Sequence, residues 1–178
     1  KGDIVNKVLL EIKDFLENNK IYVPVVSVGG SPDMWNAAKI TVATEYRVGT
    51  YIYNDRSLID KGTCDLQDCA LTVLATVVST PTPERAVVDA GSKVLTSDLS
   101  NLVGYGLVVD HPHITISNLS EEHGCLKSEG STGLLVGQKI QIIPNHACVV
   151  SNMVDQVTFT RSTKVTKLQR VTARGKVW

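Results

Sequence analysis

A mainly β chain is the fold class this sequence predicts: an antiparallel barrel or sandwich preceded by a short α/β segment. Three observations predict it. From Leu58 onward, short runs rich in Val, Ile and Thr recur, separated by Gly, Pro, Asn and Asp. Before them, one stretch of helical period leads into a nearly continuous apolar run that ends in Gly-Gly. The length, 178 residues, suffices for one large domain or two small ones.

The elements follow in order. Ile4, Val5, Val8, Leu9, Ile12, Phe15 and Leu16 recur at helical spacing, with Asp3 as the expected N-cap. "IYVPVVSV", Ile21 to Val28, reads as a strand buried on both faces of a parallel sheet. "GGSPDMWNA" then starts a helix, with Ser31 at the N-cap and Pro32 at the first helical position. A second strand is expected in "ITVATEYRVGTYIYND". Beyond it, "CALTVLATVVST", "RAVVDAG", "GYGLVVD", "HITISNLS", "GLLVGQKIQIIP", "ACVVSNMV", "QVTFT" and "KLQRVTAR" read as short β runs. Two parallel strands with two helices cannot cover their own apolar faces. The chain is therefore expected to be the C-terminal part of a longer protein; the alternative is a small α/β unit packed on the β domain.

Composition narrows the function classes. Eighteen basic and eighteen acidic residues balance, which gives no push toward nucleic acid or an anionic membrane. No apolar run approaches a membrane span, and no secretory leader pattern follows Lys1. Cys64, Cys69, Cys125 and Cys148 form no CxxC pair, so reduced thiols and a cytoplasmic setting are expected.

Several stretches carry candidate chemistry. "SVGGSP" joins a strand to a helix start, where backbone N–H groups suit a phosphate; an ordinary structural turn is the alternative. Asp33 in the first helical turn opposes an anion unless it points away. "YRVGTYIYND" offers Arg47, Gly49 and Thr50 at the end of the next strand, on the side where α/β sheets place ligands. "NHAC" puts His146 and Cys148 two residues apart; on a strand both would face one way and reach one cation. Imidazole plus thiolate favours zinc, and two protein ligands would leave an open site. Core filling is the alternative for both side chains. Glu121, Glu122 and His123 sit in a Gly-containing turn, as acid/base groups or as a solvated loop. His111 and His113 are expected to share a strand face. Asp89, Lys93 and Asp98 read as turn residues.

Taken together, "VGGSPDMW", "TEYRVGTYIYND", "VVDAGSKVLTSD", "LSEEHG", "IPNHACVVSN" and "ARGK" resemble, in this order, the C-terminal part of the D-serine dehydratase and D-threonine aldolase family. The resemblance covers essentially the whole chain. It implies an alanine racemase type of fold, with residues 1–57 as the last βα units of an incomplete (β/α)8 barrel and residues 58–178 as the β domain. It implies pyridoxal 5'-phosphate at Gly29, Gly30, Ser31, Arg47, Gly49, Thr50 and Tyr51, and a zinc ion on His146 and Cys148. Glu122 and His123 match a family motif to which no role is assigned. The family's Schiff-base lysine corresponds to no residue here, so the chain alone is expected to be inactive. The implied activity of the whole protein is a lyase for β-hydroxy D-amino acids, foremost D-serine to pyruvate and ammonia. A D-threonine aldolase releasing glycine and an aldehyde is one alternative, and a non-catalytic dimerisation or ligand-binding β module is another. A homodimer without nucleic-acid or membrane partners is expected.

Overall fold

The structure, a computed structural model, describes residues 1–176. Helix α1 (Gly2–Asn18) follows the apolar spacing, but its N-cap position is Lys1 and Asp3 lies in the first turn. Gly2 is required by packing: a Cβ there would stand 2.8 Å from the Asn36 carbonyl and the Lys39 Cβ. Those residues belong to a 3₁₀ helix, Ser31–Lys39, whose N-cap is Gly30 rather than Ser31, with Pro32 in its first turn.

The two expected strands are shorter than their apolar runs. Only β1 (Ser27–Gly29) and β2 (Glu45–Arg47) pair, in parallel, with Ser27 opposite Glu45 and Gly29 opposite Arg47. Pro24 has no N–H to give a ladder, which limits the first run. The second run turns at Gly49 into a 3₁₀ turn, Thr50–Ile52. Asn54 follows in the left-handed region at φ 51°. An apolar groove of about 330 Å³ lies between α1 and this pair, lined by Ile4, Val5, Val28, Met34, Ala37 and Tyr46. Ile4, Phe15 and Tyr22 are 69%, 67% and 80% exposed, so this segment leaves apolar faces uncovered.

A short helix, α2 (Arg56–Asp60), leads into a closed six-stranded barrel. Its strands are β3 (Val73–Thr82), β4 (Arg85–Val88), β5 (Leu107–Val108), β6 (Thr115–Leu119), β7 (Gly124–Lys127) and β8 (Lys139–Ile143). They close in the order β3-β4-β7-β6-β5-β8, every pair antiparallel. Closure leaves no sheet edge unpaired. The pleat sorts each strand: Val73, Ala75 and Val77 of β3 point inward while Leu74 and Val78 are exposed. Ile116, Leu126 and Ile142 meet them at no more than 1% exposure. Each such side chain contributes roughly 1.5–3 kcal/mol of burial. β7 falls partly within the stretch read as a turn.

Three further expectations change. "ACVVSNMV" is helix α4 (Ala147–Met153), not a strand, and its Val150 packs into the barrel core. "QVTFT" and "KLQRVTAR" form a separate hairpin, β9 (Gln156–Arg161) with β10 (Lys164–Arg170). His111 and His113 lie in the turn after Asp110, itself at φ 67°, and touch edge to face at 6.0 Å instead of sharing a strand face.

Candidate active site at the junction of the two parts

The site is built from a tripeptide that joins the α/β segment to the barrel. Asp55, 1% exposed, caps α2 by accepting from Leu58 N (3.1 Å) and also accepts from Ser57 Oγ (2.7 Å). Its second oxygen accepts from Ala147 N at 2.9 Å, the first residue of α4, 92 positions away. Arg56 donates to the carbonyls of Gly104 and Gly106 and to Asn145 Oδ1. The Arg56 and Ser57 N–H groups donate to the Pro144 and Asn145 carbonyls. The segment "PNHA" is thus held from beneath by Asp55 and Arg56.

Asn145 fixes the opposite wall. Its buried amide donates to the carbonyls of Asp98 (3.2 Å), Leu99 (3.4 Å) and Gly104 (2.8 Å). Asp98 follows α3 (Ser92–Leu95) and is shaped into a turn, its Oδ1 accepting from Ser100 N at 2.8 Å. Asp98 Oδ2 lies 2.7 Å from His146 Nδ1. The His146 contact first, then the Ser100 N–H, holds the Asp98 carboxyl below its usual range, with desolvation opposing.

His146 occupies the N-cap position of α4 and Cys148 the second residue of its first turn. The strand geometry expected for the pair is therefore corrected: a chain switching from extended to helical between them replaces the two-residue alternation. The core-filling alternative fails as well, because the His146 side chain is 36% exposed and Cys148 is exposed. Cys148 Sγ lies 3.1 Å from Thr50 Oγ1. Imidazole and thiolate form a donor set suited to zinc, and a carboxylate behind the imidazole is the usual support for a metal-binding histidine. Asp98 is taken up by the imidazole, and among the described residues no group of three His, Cys, Asp or Glu is placed to hold one ion, so water or substrate would complete an ion's shell.

Thr50 connects this pair to the glycine turns. Gly30 N donates to the Arg47 carbonyl at 3.0 Å, and Tyr51 N donates to Ser31 Oγ at 3.2 Å. The two turns are thereby side by side, as expected for successive parallel strands. Gly29 needs to be glycine, since a Cβ would stand 2.6 Å from the Arg47 carbonyl oxygen. Gly30, at φ 123°, needs it for its backbone. A Cβ on Gly49 would meet nothing within 4 Å, so its backbone borders open space. Backbone N–H groups at a 3₁₀ helix start beside such space fit an anionic phosphate. The Asp33 carboxylate, in the same first turn, is exposed and faces Lys1 Nζ at 3.8 Å. Ser31 is 3% exposed with its hydroxyl engaged by Tyr51, and the Arg47 guanidinium is engaged by Ser27, which bonds Glu45. Those two side chains act here as struts.

The remaining motifs resolve into scaffolding. Ser92 N and Lys93 N, at the start of α3, donate to the Ser120 and Glu121 carbonyls. A Cβ on Gly91 would stand 2.4 Å from the Glu121 carbonyl oxygen. Lys93 pairs with Glu122 on the surface, and Ser120 Oγ accepts from His123 N. "DAGSK" and "SEEHG" therefore seat α3, which delivers Asp98. Asp89 accepts from Thr76 N between β4 and β3. Sequence reading missed the roles of Asp55, Arg56, Asp98 and Asn145. Asp55, Arg56 and Asp98 are distant from His146 in the chain, and Asn145, its neighbour, acts through partners that are themselves 41–47 positions away.

Comparison with known proteins now adds to the geometry. The family described as "Putative serine dehydratase domain" matches residues 70–160. An uncharacterised protein of Mycobacterium tuberculosis is 38% identical over 128 residues, 68% of this chain and 96% of that protein. The D-threo-3-hydroxyaspartate dehydratase of a Delftia species is 34% identical over 143 residues, 70% of this chain and 38% of that enzyme. The solved D-threonine aldolase of Filomicrobium marinum superposes with a TM-score of 0.80 at 29% identity, covering 97% of this chain and 47% of the aldolase. The Delftia enzyme has been solved with a histidine replaced by alanine, and with a cysteine two positions further on replaced by alanine in a metal-free form. This chain spans less than half the length of these enzymes. The matched half of its residues, the sequence relatives and the alanine racemase-like fold of its structural neighbours agree: the chain belongs to the serine dehydratase domain family.

Proposed function

We propose that this chain is the C-terminal part of a pyridoxal phosphate- and zinc-dependent lyase acting on β-hydroxy D-amino acids, foremost a D-serine dehydratase. The single observation that carries the reading is the 3.1 Å contact between Thr50 Oγ1 and Cys148 Sγ. It joins the glycine turns suited to a phosphate and the His–Cys pair suited to a metal into one site. The spacing of that pair equals the spacing of the histidine and cysteine replaced in the Delftia dehydratase.

When bound, pyridoxal phosphate supplies an electron sink and zinc a Lewis acid for a β-hydroxyl. The chain's own residues do the holding. The backbone around Gly30 and Gly49 receives the phosphate, and His146 and Cys148 hold the metal. Asp55 and Arg56 fix the metal pair relative to the phosphate turn, so that both groups meet one substrate. The uncovered apolar faces of α1 and β1 pack, on this reading, against the remainder of an eight-stranded barrel. The cofactor-attaching lysine lies outside residues 1–178, and the chain alone does not turn over.

In the full-length protein, His146→Ala and Cys148→Ala retain cofactor absorbance while pyruvate release from D-serine collapses and bound zinc falls. Unchanged turnover and unchanged zinc in both variants overturn the reading. The likeness to D-threonine aldolase favours a second reading, which glycine and aldehyde release from D-threonine would establish instead.

A further inference from the structure

We infer that Asp98 is the positioning residue of the His146–Cys148 pair, fixing the imidazole in the Nδ1–H tautomer and leaving Nε2 as the metal donor. The inference rests on the reading of that pair as a metal site. It comes from three contacts that converge on one carboxylate. Oδ2 stands 2.7 Å from His146 Nδ1. An ionised carboxylate only accepts, so Nδ1 carries the hydrogen. Oδ1 is occupied by Ser100 N at 2.8 Å and Ser100 Oγ at 3.2 Å, which stops the carboxylate from rotating away. The backbone of the same residue is tied to the histidine's neighbour, through Asn145 Nδ2 and the Asp98 carbonyl at 3.2 Å. Side chain and main chain therefore hold Asp98 and His146 in register across 48 positions.

The arrangement also gives "DAGSK" and "SEEHG" a common purpose. Gly91 allows α3 to sit on the Glu121 carbonyl, Ser92 N and Lys93 N anchor it there, and α3 ends directly before the Asp98 turn. A free imidazole favours the Nε2–H tautomer, which would turn a hydrogen rather than a lone pair outward. The carboxylate reverses that preference before any metal arrives.

The test uses the full-length protein. Nitrogen-15 spectra of the metal-free form report the His146 tautomer, and competition with a chromophoric chelator reports zinc affinity. The wild type shows Nδ1–H. Asp98→Ala moves His146 toward Nε2–H and weakens zinc binding by about 10–100-fold. Asp98→Asn, whose carbonyl oxygen still accepts from Nδ1–H, keeps the tautomer and recovers most of the affinity. Zinc affinity that falls in His146→Ala but stays at the wild-type level in Asp98→Ala overturns the role of Asp98 and leaves the metal site standing. Zinc affinity unaffected by His146→Ala sinks the metal site itself, and the inference with it. Should Asp98→Ala fail to fold, an Nε2–H tautomer in the folded metal-free wild type is enough to refute the proposal.

Discussion

Asp55→Ala tests the junction most directly. The substitution deletes one carboxylate that serves two helices. At α2 it removes the N-cap bond to Leu58 N, worth about 1 kcal/mol. At α4 it removes a charge-assisted bond from Ala147 N, worth about 1.5–3 kcal/mol, and Ala147 is fully buried, so no water replaces the acceptor. The two sites lie at opposite oxygens and add to roughly 3 kcal/mol. For a chain of this length each kcal/mol lowers Tm by about 2–4 °C, so a fall of roughly 6–12 °C is expected. Asp55→Asn keeps one acceptor oxygen and loses the charge, and about half that fall is expected. Thermal unfolding followed by circular dichroism measures both. Zinc affinity falls in parallel, because His146 is held by the same helix start. A melting temperature within about 2 °C of wild type for Asp55→Ala would refute the reasoning, since that corresponds to less than the cap alone.

Other perturbations separate the parts of the site. Gly29→Ala forces a Cβ to within 2.6 Å of the Arg47 carbonyl oxygen, so cofactor absorbance is lost while the barrel's β signal by circular dichroism persists. Asn145→Ala leaves the Asp98 and Leu99 carbonyls without their amide donor, and a loss of about 2–4 kcal/mol is expected in denaturant unfolding. Iodoacetamide at pH 8 alkylates exposed Cys148 first, and zinc protects it. Cys69, whose thiol burial and the neighbouring Cys64 push up to about 12, stays unmodified by mass spectrometry over the same interval.

The sequence made the barrel legible because its signal is local. Val73, Ala75 and Val77 point inward, but Leu74 and Val78 are apolar too and exposed, so the run marks a strand without marking which of its faces is buried. The parallel pair was legible in kind but not in extent, since Pro24 and Gly49 stop ladders that the apolar runs would continue. The glycines of the Gly29–Gly30 turn were legible as glycines because each is required, one by a close approach and one by its backbone. The supports of His146 and Cys148 were not. Asp98 stands 48 positions from His146 and Asp55 stands 92 positions from Ala147, and no periodicity reports on contacts of that separation.

Helix α4 shows why the pairing of His146 with Cys148 could be read while its geometry could not. "ACVVSNM" is a short apolar run rich in β-branched residues, and such a run is compatible with a buried strand or a short helix. Helices normally announce their start with Ser, Thr, Asp or Asn at the N-cap. Here the cap position holds His146, whose side chain makes no capping bond because its ring is turned to Asp98. The capping acceptor is supplied instead by Asp55, from the far side of the barrel in sequence. Moving the cap to another element frees the N-cap side chain for other chemistry, and it makes the helix conditional on that element being in place. The same carboxylate caps α2, which follows the Thr50 turn, so His146 and Cys148 are set relative to Thr50 by a shared anchor rather than by local chain direction.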